Sequence, residues 1–490
     1  MAQARTRTRR PQREPMSRVD TAWLRMETAS NPMMITAVLM FDDPIALPRL
    51  RQLLKQRFLA YRRFRQRPVL GATGAVWETD RDFDLDWHLQ EAALPGRGGK
   101  AGLERFVSML ASTPLDGHRP RWQFHLIERH GKGSALVARI HHCYADGIAL
   151  VQVLLSLTDT TPDAAPDSTL DQAWLKHHAV PVAKRVGAAR SVISRYGKLG
   201  SAMLDKGMEL YRDPGLASVL AREGGEIARE LVHALSLPDD PGSVLRGRLG
   251  NRKRAAWAEP LDLEEVKAVG RAAGCTVNDV LMAAAAGALR AYMLERGEAV
   301  DGMTLRATVP VNLRPLEHAR QLGNHFGLVF LDLPVGEANP LRRLHRVAAC
   351  MRDLKQSRQA VVAYGLLAAL GMAPESLQSL ALELFSRKAS AVATNVPGPQ
   401  QPLYLAGAKL REMMFWVPQT GSIGLGLSIL SYHGKVQFGL IADARLVPDP
   451  HAVTRRFAEQ FEQMLYVALM ANWDDTVDAA AAEALMPGTA

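Results

Sequence analysis

Alternating apolar and polar positions over residues 131–140 read as a half-buried strand, and that strand ends on a pair of histidines, His141 and His142. From residue 148 to 157 the apolar positions recur with helical spacing, so the segment Arg139-Ile140-His141-His142-Cys143-Tyr144-Ala145-Asp146-Gly147 falls on a tight strand-to-helix turn. Around it, residues 17–160 form an α+β pattern. Strands are expected at 33–41, 122–127 and 135–140, the last two paired, and helices at 45–59 and 103–112. The stretch 160–168, rich in Asp, Pro and Thr, reads as a linker, and residues 170–237 carry almost no strand signal. A second α+β pattern begins after the Asp-Asp-Pro-Gly boundary at 239–242. It predicts helices at 263–273, 278–294, 340–355, 359–372 and 374–385, with strands at 304–313, 327–333, 389–394 and 403–410. Strands at 423–431 and 436–443 form a hairpin turning at His433-Gly434, and a last amphipathic helix opens at Asp449-Pro450 and runs to 470. No internal repeat is visible.

Composition narrows this picture modestly. The chain has 490 residues, 47% hydrophobic and 22% charged, enough for two or three globular cores. Its three cysteines, Cys143, Cys275 and Cys350, are odd in number and scattered, which argues against a disulfide framework and for a reducing, cytoplasmic setting. Cys143 reads as a small core residue, since thiolate chemistry needs its own base. The net charge of +10 is concentrated first in a terminal arm, where Arg5, Arg7, Arg9, Arg10 and Arg13 face only Glu14. With no apolar stretch after it, the arm (residues 1–16) is neither a signal peptide nor an anchor; it reads as disordered, with Met1 and Met16 both candidate starts. Val186, Ala189, Ile193 and Tyr196 share one helical face, with Arg185, Arg190, Arg195 and Lys198 around the rest. That basic amphipathic segment suits either a helix packed across two lobes or docking on an anionic membrane. No apolar run approaches the ~18 residues of a spanning helix. No nucleic-acid motif is present.

The histidine pair carries the chemistry. A histidine at such a turn can present one ring nitrogen to a cleft as a general base, with an ordinary pKa near 6.5. Gly147 suits a backbone position that a bulkier residue resists, and Asp146 reads as an orienting group that ties the turn down through a buried ion pair. Taken alone the string also fits a surface loop. A metal site is the weaker reading, because no Cys/His/carboxylate cluster stands at ligand spacing, and no metal is expected. Further strings stand at element ends: residues 114–122, Thr276-Val277-Asn278-Asp279 before an apolar helix, residues 309–315, 323–327, and Thr394-Asn395-Val396-Pro397-Gly398-Pro399.

In this order the strings resemble the bacterial wax ester synthase/diacylglycerol acyltransferase family, from about residue 17 to 472. The His-His-x-x-x-Asp-Gly string is shared with chloramphenicol acetyltransferases and with peptide-synthetase condensation domains; Asn278-Asp279 and residues 394–399 narrow it to this family. One departure is visible: Pro120-Arg121-Trp122 stands where the family tends to have Pro-Leu-Trp. The resemblance implies an α+β, two-lobed chloramphenicol-acetyltransferase-like fold with a tunnel between the lobes. Residues 17–160 are the N-terminal lobe, 161–254 a linker and helical crossover, 255–475 the C-terminal lobe and 476–490 a tail. It implies acyl-CoA as a substrate, no cofactor, and an acceptor hydroxyl on diacylglycerol or a long-chain alcohol, with peripheral contact at a membrane or lipid inclusion. His142 is the expected base and His141 its support. Arg314 is the expected ionic partner of Asp146. Asn278, Asp279 and Ser428 are candidates for substrate or oxyanion contacts. An amide-forming condensation enzyme and a non-catalytic lipid-binding homologue are the alternatives, although no carrier-protein segment accompanies the chain.

Overall fold

Two mixed sheets, each covered by helices, carry the molecule. The computed structural model describes residues 12–71, 74–96, 98–163, 236–313, 322–357, 359–371 and 374–470. The arm 1–11 and the basic segment 185–198 lie outside the described residues. The first sheet centres on β2 (Met34–Phe41), which pairs antiparallel with β7 (Gly133–His141); β7 pairs in turn with β6 (Trp122–His130), and β6 with β5 (Leu89–Ala92). Every residue of β2 and β7 is buried, because both faces of the sheet are covered. Ile35, Ala37, Leu39 and Phe41 of β2 enter the main core of this lobe. Val38 and Met40 meet Leu103 and Val107 of the helix Lys100–Ala111 on the other face. A separate three-stranded sheet, β1 (Arg13–Pro15), β4 (Gly74–Thr79) and β3 (Gln66–Gly71), lies beside it and has no counterpart among the expected strands.

The second sheet runs in the order β11 (Phe326–Leu333), β10 (Leu305–Asn312), β12 (Ala391–Pro397), β15 (Leu425–Tyr432), β16 (Lys435–Asp443) and β8 (Lys253–Trp257). Strand β12 is parallel to both neighbours. The β15–β16 hairpin turns where expected, with φ of 47° at His433 and 73° at Gly434, the left-handed pair that a tight two-residue hairpin requires. The helices Val277–Glu295 and Pro450–Met470 cover the sheet. Thr276 caps the first of them in a reciprocal box with Asp279.

Strand exchange joins the lobes. The expected strand at 403–410 is broken by a turn with positive φ at Ala406 and Gly407, and the chain continues as β14 (Ala408–Trp416). Although it follows β12 in sequence, β14 pairs with β2 and so extends the N-terminal sheet. On the other side, β8 presents an open edge to the helix Lys100–Ala111. That edge is closed by side chains four residues apart: Ser112 Oγ accepts from Lys253 N (2.8 Å), Ser108 Oγ from Ala255 N (2.9 Å) and Glu104 Oε1 from Trp257 N (3.3 Å). Buried backbone donors are thereby satisfied without another strand. Among the described residues no single helix is long and apolar enough to cross a membrane.

Candidate active site

At the end of β7 the chain turns sharply and enters the helix Gly147–Leu155, as the alternation pattern demanded. Asp146 is that helix's N-cap: its Oδ1 accepts from Ala149 N at 2.8 Å. Its other oxygen, Oδ2, accepts from His325 N at 3.1 Å, so one buried carboxylate joins the turn to a loop of the second lobe. Backbone bonds repeat the join, Asp146 N to Gly323 O at 3.4 Å and Gly323 N to Tyr144 O at 3.0 Å. Gly323 has φ of +114°, a conformation that favours glycine. Gly147 has no positive φ; a Cβ there would meet Val417 Cγ1 at 3.2 Å, a close contact that the valine must yield to admit. Arg314, the expected partner of Asp146, lies outside the described residues. Arg139 points away, with Nη1 donating to the Leu110 and Thr113 carbonyls.

Both histidines are buried, and their surroundings differ. The His142 ring stacks on Trp23, centroids 4.1 Å apart and 22° between planes, with Phe326 at 5.6 Å. Burial pulls its pKa down to about 4, against the opposing pull of Asp146, so at neutral pH the ring is an unprotonated base. His141 faces the other way. Its Nδ1 accepts from Cys143 N at 3.1 Å, which places the proton on Nε2, and Nε2 lies 3.6 Å from Glu27 Oε1. Glu27 Oε2 in turn accepts from Arg121 Nη1 at 2.7 Å. Burial disfavours the charge on Glu27, but His141 and Arg121 hold its carboxyl below the usual range. Arg121, given no role by the family pattern, therefore braces the residue behind His141. Tyr144 locks the turn from below, its hydroxyl accepting from Arg121 N (3.0 Å) and donating to Gln66 O (2.6 Å). Burial pushes the Cys143 thiol well above its ordinary value, in keeping with a packing role.

Sequence reasoning missed the contribution of the helix Arg18–Arg25 and the residues just after it. Trp23 supplies the stacking surface, Asp20 binds Asn324, and Glu27 meets His141. The signal was present as Ser17, the cap of that helix, followed by an apolar stripe containing Trp23.

His142, Asp146 and Gly147 line a cleft of about 680 Å³, counting space open to solvent, between β10–β12 and the loop after β14. A second cavity of about 800 Å³, counted the same way, adjoins it and shares Thr308, Leu328 and Thr420. It is walled by β11 and by the helices Gln359–Leu370 and Glu375–Ser386, and its lining is almost wholly apolar. Phe326, Leu328 and Phe330 alternate along one face of β11, so about 13 Å of strand leads from the ring beside His142 into this cavity. The expected polar contacts stand one step back from the cleft. Asn395 lines it, and its Nδ2 donates to Asn278 Oδ1 at 2.6 Å; Thr394 lines it, 3.4 Å from Ser428 Oγ. Asp279 accepts from Thr276 N and Oγ1 in the helix cap. Among the described residues no group of three His, Cys, Asp or Glu side chains is arranged to hold a metal ion.

Comparison with known proteins places these features. The catalytic-domain profile of wax ester synthase/diacylglycerol acyltransferases matches residues 16–281, and the profile of their C-terminal domain matches 322–465. Tgs2 of Mycobacterium tuberculosis, described as a probable diacylglycerol O-acyltransferase, is 31% identical over 445 residues, covering 88% of this chain and 94% of its own. The solved wax ester synthase/diacylglycerol acyltransferase of Marinobacter aquaeolei VT8 is 25% identical with a TM-score of 0.68, covering 93% of this chain and 100% of that one. The first condensation domain of the calcium-dependent antibiotic synthetase, 18% identical with a TM-score of 0.57 over 95% of this chain and 99% of its own, shares the fold.

Proposed function

Because the chain belongs to the wax ester synthase/diacylglycerol acyltransferase family, we propose that it moves a long-chain acyl group from acyl-CoA to the hydroxyl of diacylglycerol or of a long-chain alcohol, with His142 as general base. The observation that carries this reading is the place of His142 in a cleft that holds a few polar side chains, Thr394 and Asn395 among them, and adjoins an apolar cavity. An acyl chain in the cavity leaves its thioester carbonyl beside the imidazole. His142 Nε2 takes the proton of the acceptor hydroxyl as that oxygen attacks the carbonyl carbon. The tetrahedral oxyanion collapses, the carbon–sulfur bond breaks, and the imidazolium returns the proton to the thiolate, releasing CoA as a thiol. No acyl-enzyme forms, and the inert, buried Cys143 is not a nucleophile.

The oxyanion requires a donor in the cleft. Asn395 is suited to this: Asn278 accepts one N–H of its amide, fixing its orientation, and the second N–H remains. Asp146, bonded to Ala149 N and His325 N, holds the His142 turn against the second lobe. His141, braced by Glu27 and Arg121, supports the turn from behind. A water-insoluble acceptor implies work at a lipid surface, a membrane or a lipid inclusion.

The test offers purified protein labelled palmitoyl-CoA with diacylglycerol and with hexadecanol, and identifies the lipid formed. Triacylglycerol or wax ester is the expected product. Release of CoA into neither, or an amide formed only with an amine acceptor, contradicts the reading.

A further inference from the structure

We propose that Asn324, clamped by Asp20, is the positioning residue that keeps the proton of His142 on Nδ1 and leaves the Nε2 lone pair for the substrate. The inference rests on His142 being the base. Asn324 Nδ2 donates twice, to Asp20 Oδ1 at 2.7 Å and to the His142 carbonyl at 2.9 Å, and Asn324 N donates to the same Asp20 oxygen at 3.1 Å. Both amide hydrogens are thus committed, and the side chain cannot exchange its ends. Its carbonyl oxygen, Oδ1, is buried without a hydrogen bond, and so is Nδ1 of His142. Two buried orphan atoms in one place are rare and expensive unless they serve each other.

They stand on the same side of the ring. The carbonyl that Asn324 binds belongs to His142 itself, and a backbone carbonyl reaches its own imidazole only at Nδ1. Both that carbonyl and the Asn324 side chain favour a proton on the ring, as acceptors do. An amide oxygen can only accept, so Asn324 Oδ1 can serve Nδ1 only when Nδ1 carries the proton, the tautomer in which Nε2 is the base. Trp23, stacked flat on the ring, opposes the flip that exchanges the two nitrogens. Asp20 is deeply buried, which raises its pKa to about 6, while Ser17 and Asn324 favour its charged form. Its carboxylate holds the amide and does not touch the imidazole directly.

Two variants test this beside His142→Ala. Asn324→Leu keeps the shape and removes the acceptor; kcat should fall roughly 10²-fold or more with KM within about threefold. The exchange Asp20→Asn with Asn324→Asp keeps a side-chain hydrogen bond between the pair, with the donor now on residue 20, gives up the bond to the His142 carbonyl, and sets a negative charge against Nδ1. It should fold and move the acidic limb of kcat/KM upward by about one pH unit or more, a shift that a merely structural role does not produce. A folded Asn324→Leu protein with kcat within about threefold of wild type, or an exchange variant whose limb does not move, overturns the proposal. So does loss of fold in both variants, which assigns the pair to stability alone. Turnover surviving in His142→Ala instead contradicts the assignment of the base, and the two failures are distinguishable.

Discussion

Trp23 lies against His142 with ring centroids 4.1 Å apart, so the imidazole is seated on a side chain of the helix Arg18–Arg25, far from it in sequence. The stack fixes the plane of the imidazole and excludes water from one face. Trp23→Ala removes a buried aromatic and should cost about 3–5 kcal/mol of stability, read as a lower denaturation midpoint. Trp23→Phe keeps a flat ring and most of the packing; it should cost under about 2 kcal/mol and lower kcat more than it raises KM. Equal kcat in wild type and Trp23→Phe, with no loss in a folded Trp23→Leu, would remove the stack from the account.

Asn395 and Asn278 make a second linked pair. Asn395→Ala should lower kcat by about 10²–10³ at nearly unchanged KM. Asn278→Ala should do less, because it loosens the donor and does not delete it. The double variant should be no slower than Asn395→Ala. Multiplying losses, measured under saturating substrate, would show the two acting separately.

The apolar cavity should act as a measure of chain length. Ala363 lines it on the helix Gln359–Leu370, away from the histidines. Ala363→Phe should reduce kcat/KM for palmitoyl-CoA by about tenfold or more while leaving hexanoyl-CoA within about twofold, since each buried methylene contributes ~0.8 kcal/mol. Loss that is uniform across chain lengths would place the acyl chain elsewhere, and loss that follows the alcohol's length would place the acceptor there.

Acid should unfold the protein earlier than its carboxylates alone predict. Burial pulls His142, His88 and His125 down to about 4. Between about pH 4 and 6.5 the unfolded chain binds protons that the folded one refuses, so stability rises with pH across that window. Each such histidine contributes about 1.4 kcal/mol per pH unit within it. Asp20, raised by burial to about 6, acts in the opposite sense between about pH 4 and 6. The net slope should be positive and should flatten in His125→Gln, measured as the thermal midpoint against pH. In kcat/KM the acidic limb should fall well below the ordinary histidine value of 6.5.

Much of the fold was legible because its signals are local. The alternation ending at His141, the cap at Thr276, the hairpin at His433-Gly434 and the helix opened by Pro450 each depend on residues a few positions apart. What sequence reasoning could not supply were partners. The pattern shows a strand at 403–410, but not that the strand runs on to 416 or that it joins β2, more than 350 residues earlier in the chain. Strand β8 is not legible in sequence, because its edge is completed by Glu104, Ser108 and Ser112, polar residues that merely dot an apolar helix. The same holds at the site. His142 and Asp146 were found in their motif, whereas Asn324 meets His142 across 182 positions and Asp20 across 304 from Asn324. Arg121 looked like a loss of the family's leucine, and only its contact with Glu27 gives it a place.

The central claim is that His142 is the base for acyl transfer to a lipid hydroxyl. It is tested most directly by single-turnover acyl transfer from labelled palmitoyl-CoA in wild type and in His142→Ala, with folding verified by the thermal midpoint. Wild type should convert the label to triacylglycerol or wax ester, and the folded variant should lose about 10²–10⁴ in rate. A folded His142→Ala protein that forms the same lipid within about threefold of the wild-type rate would contradict the account.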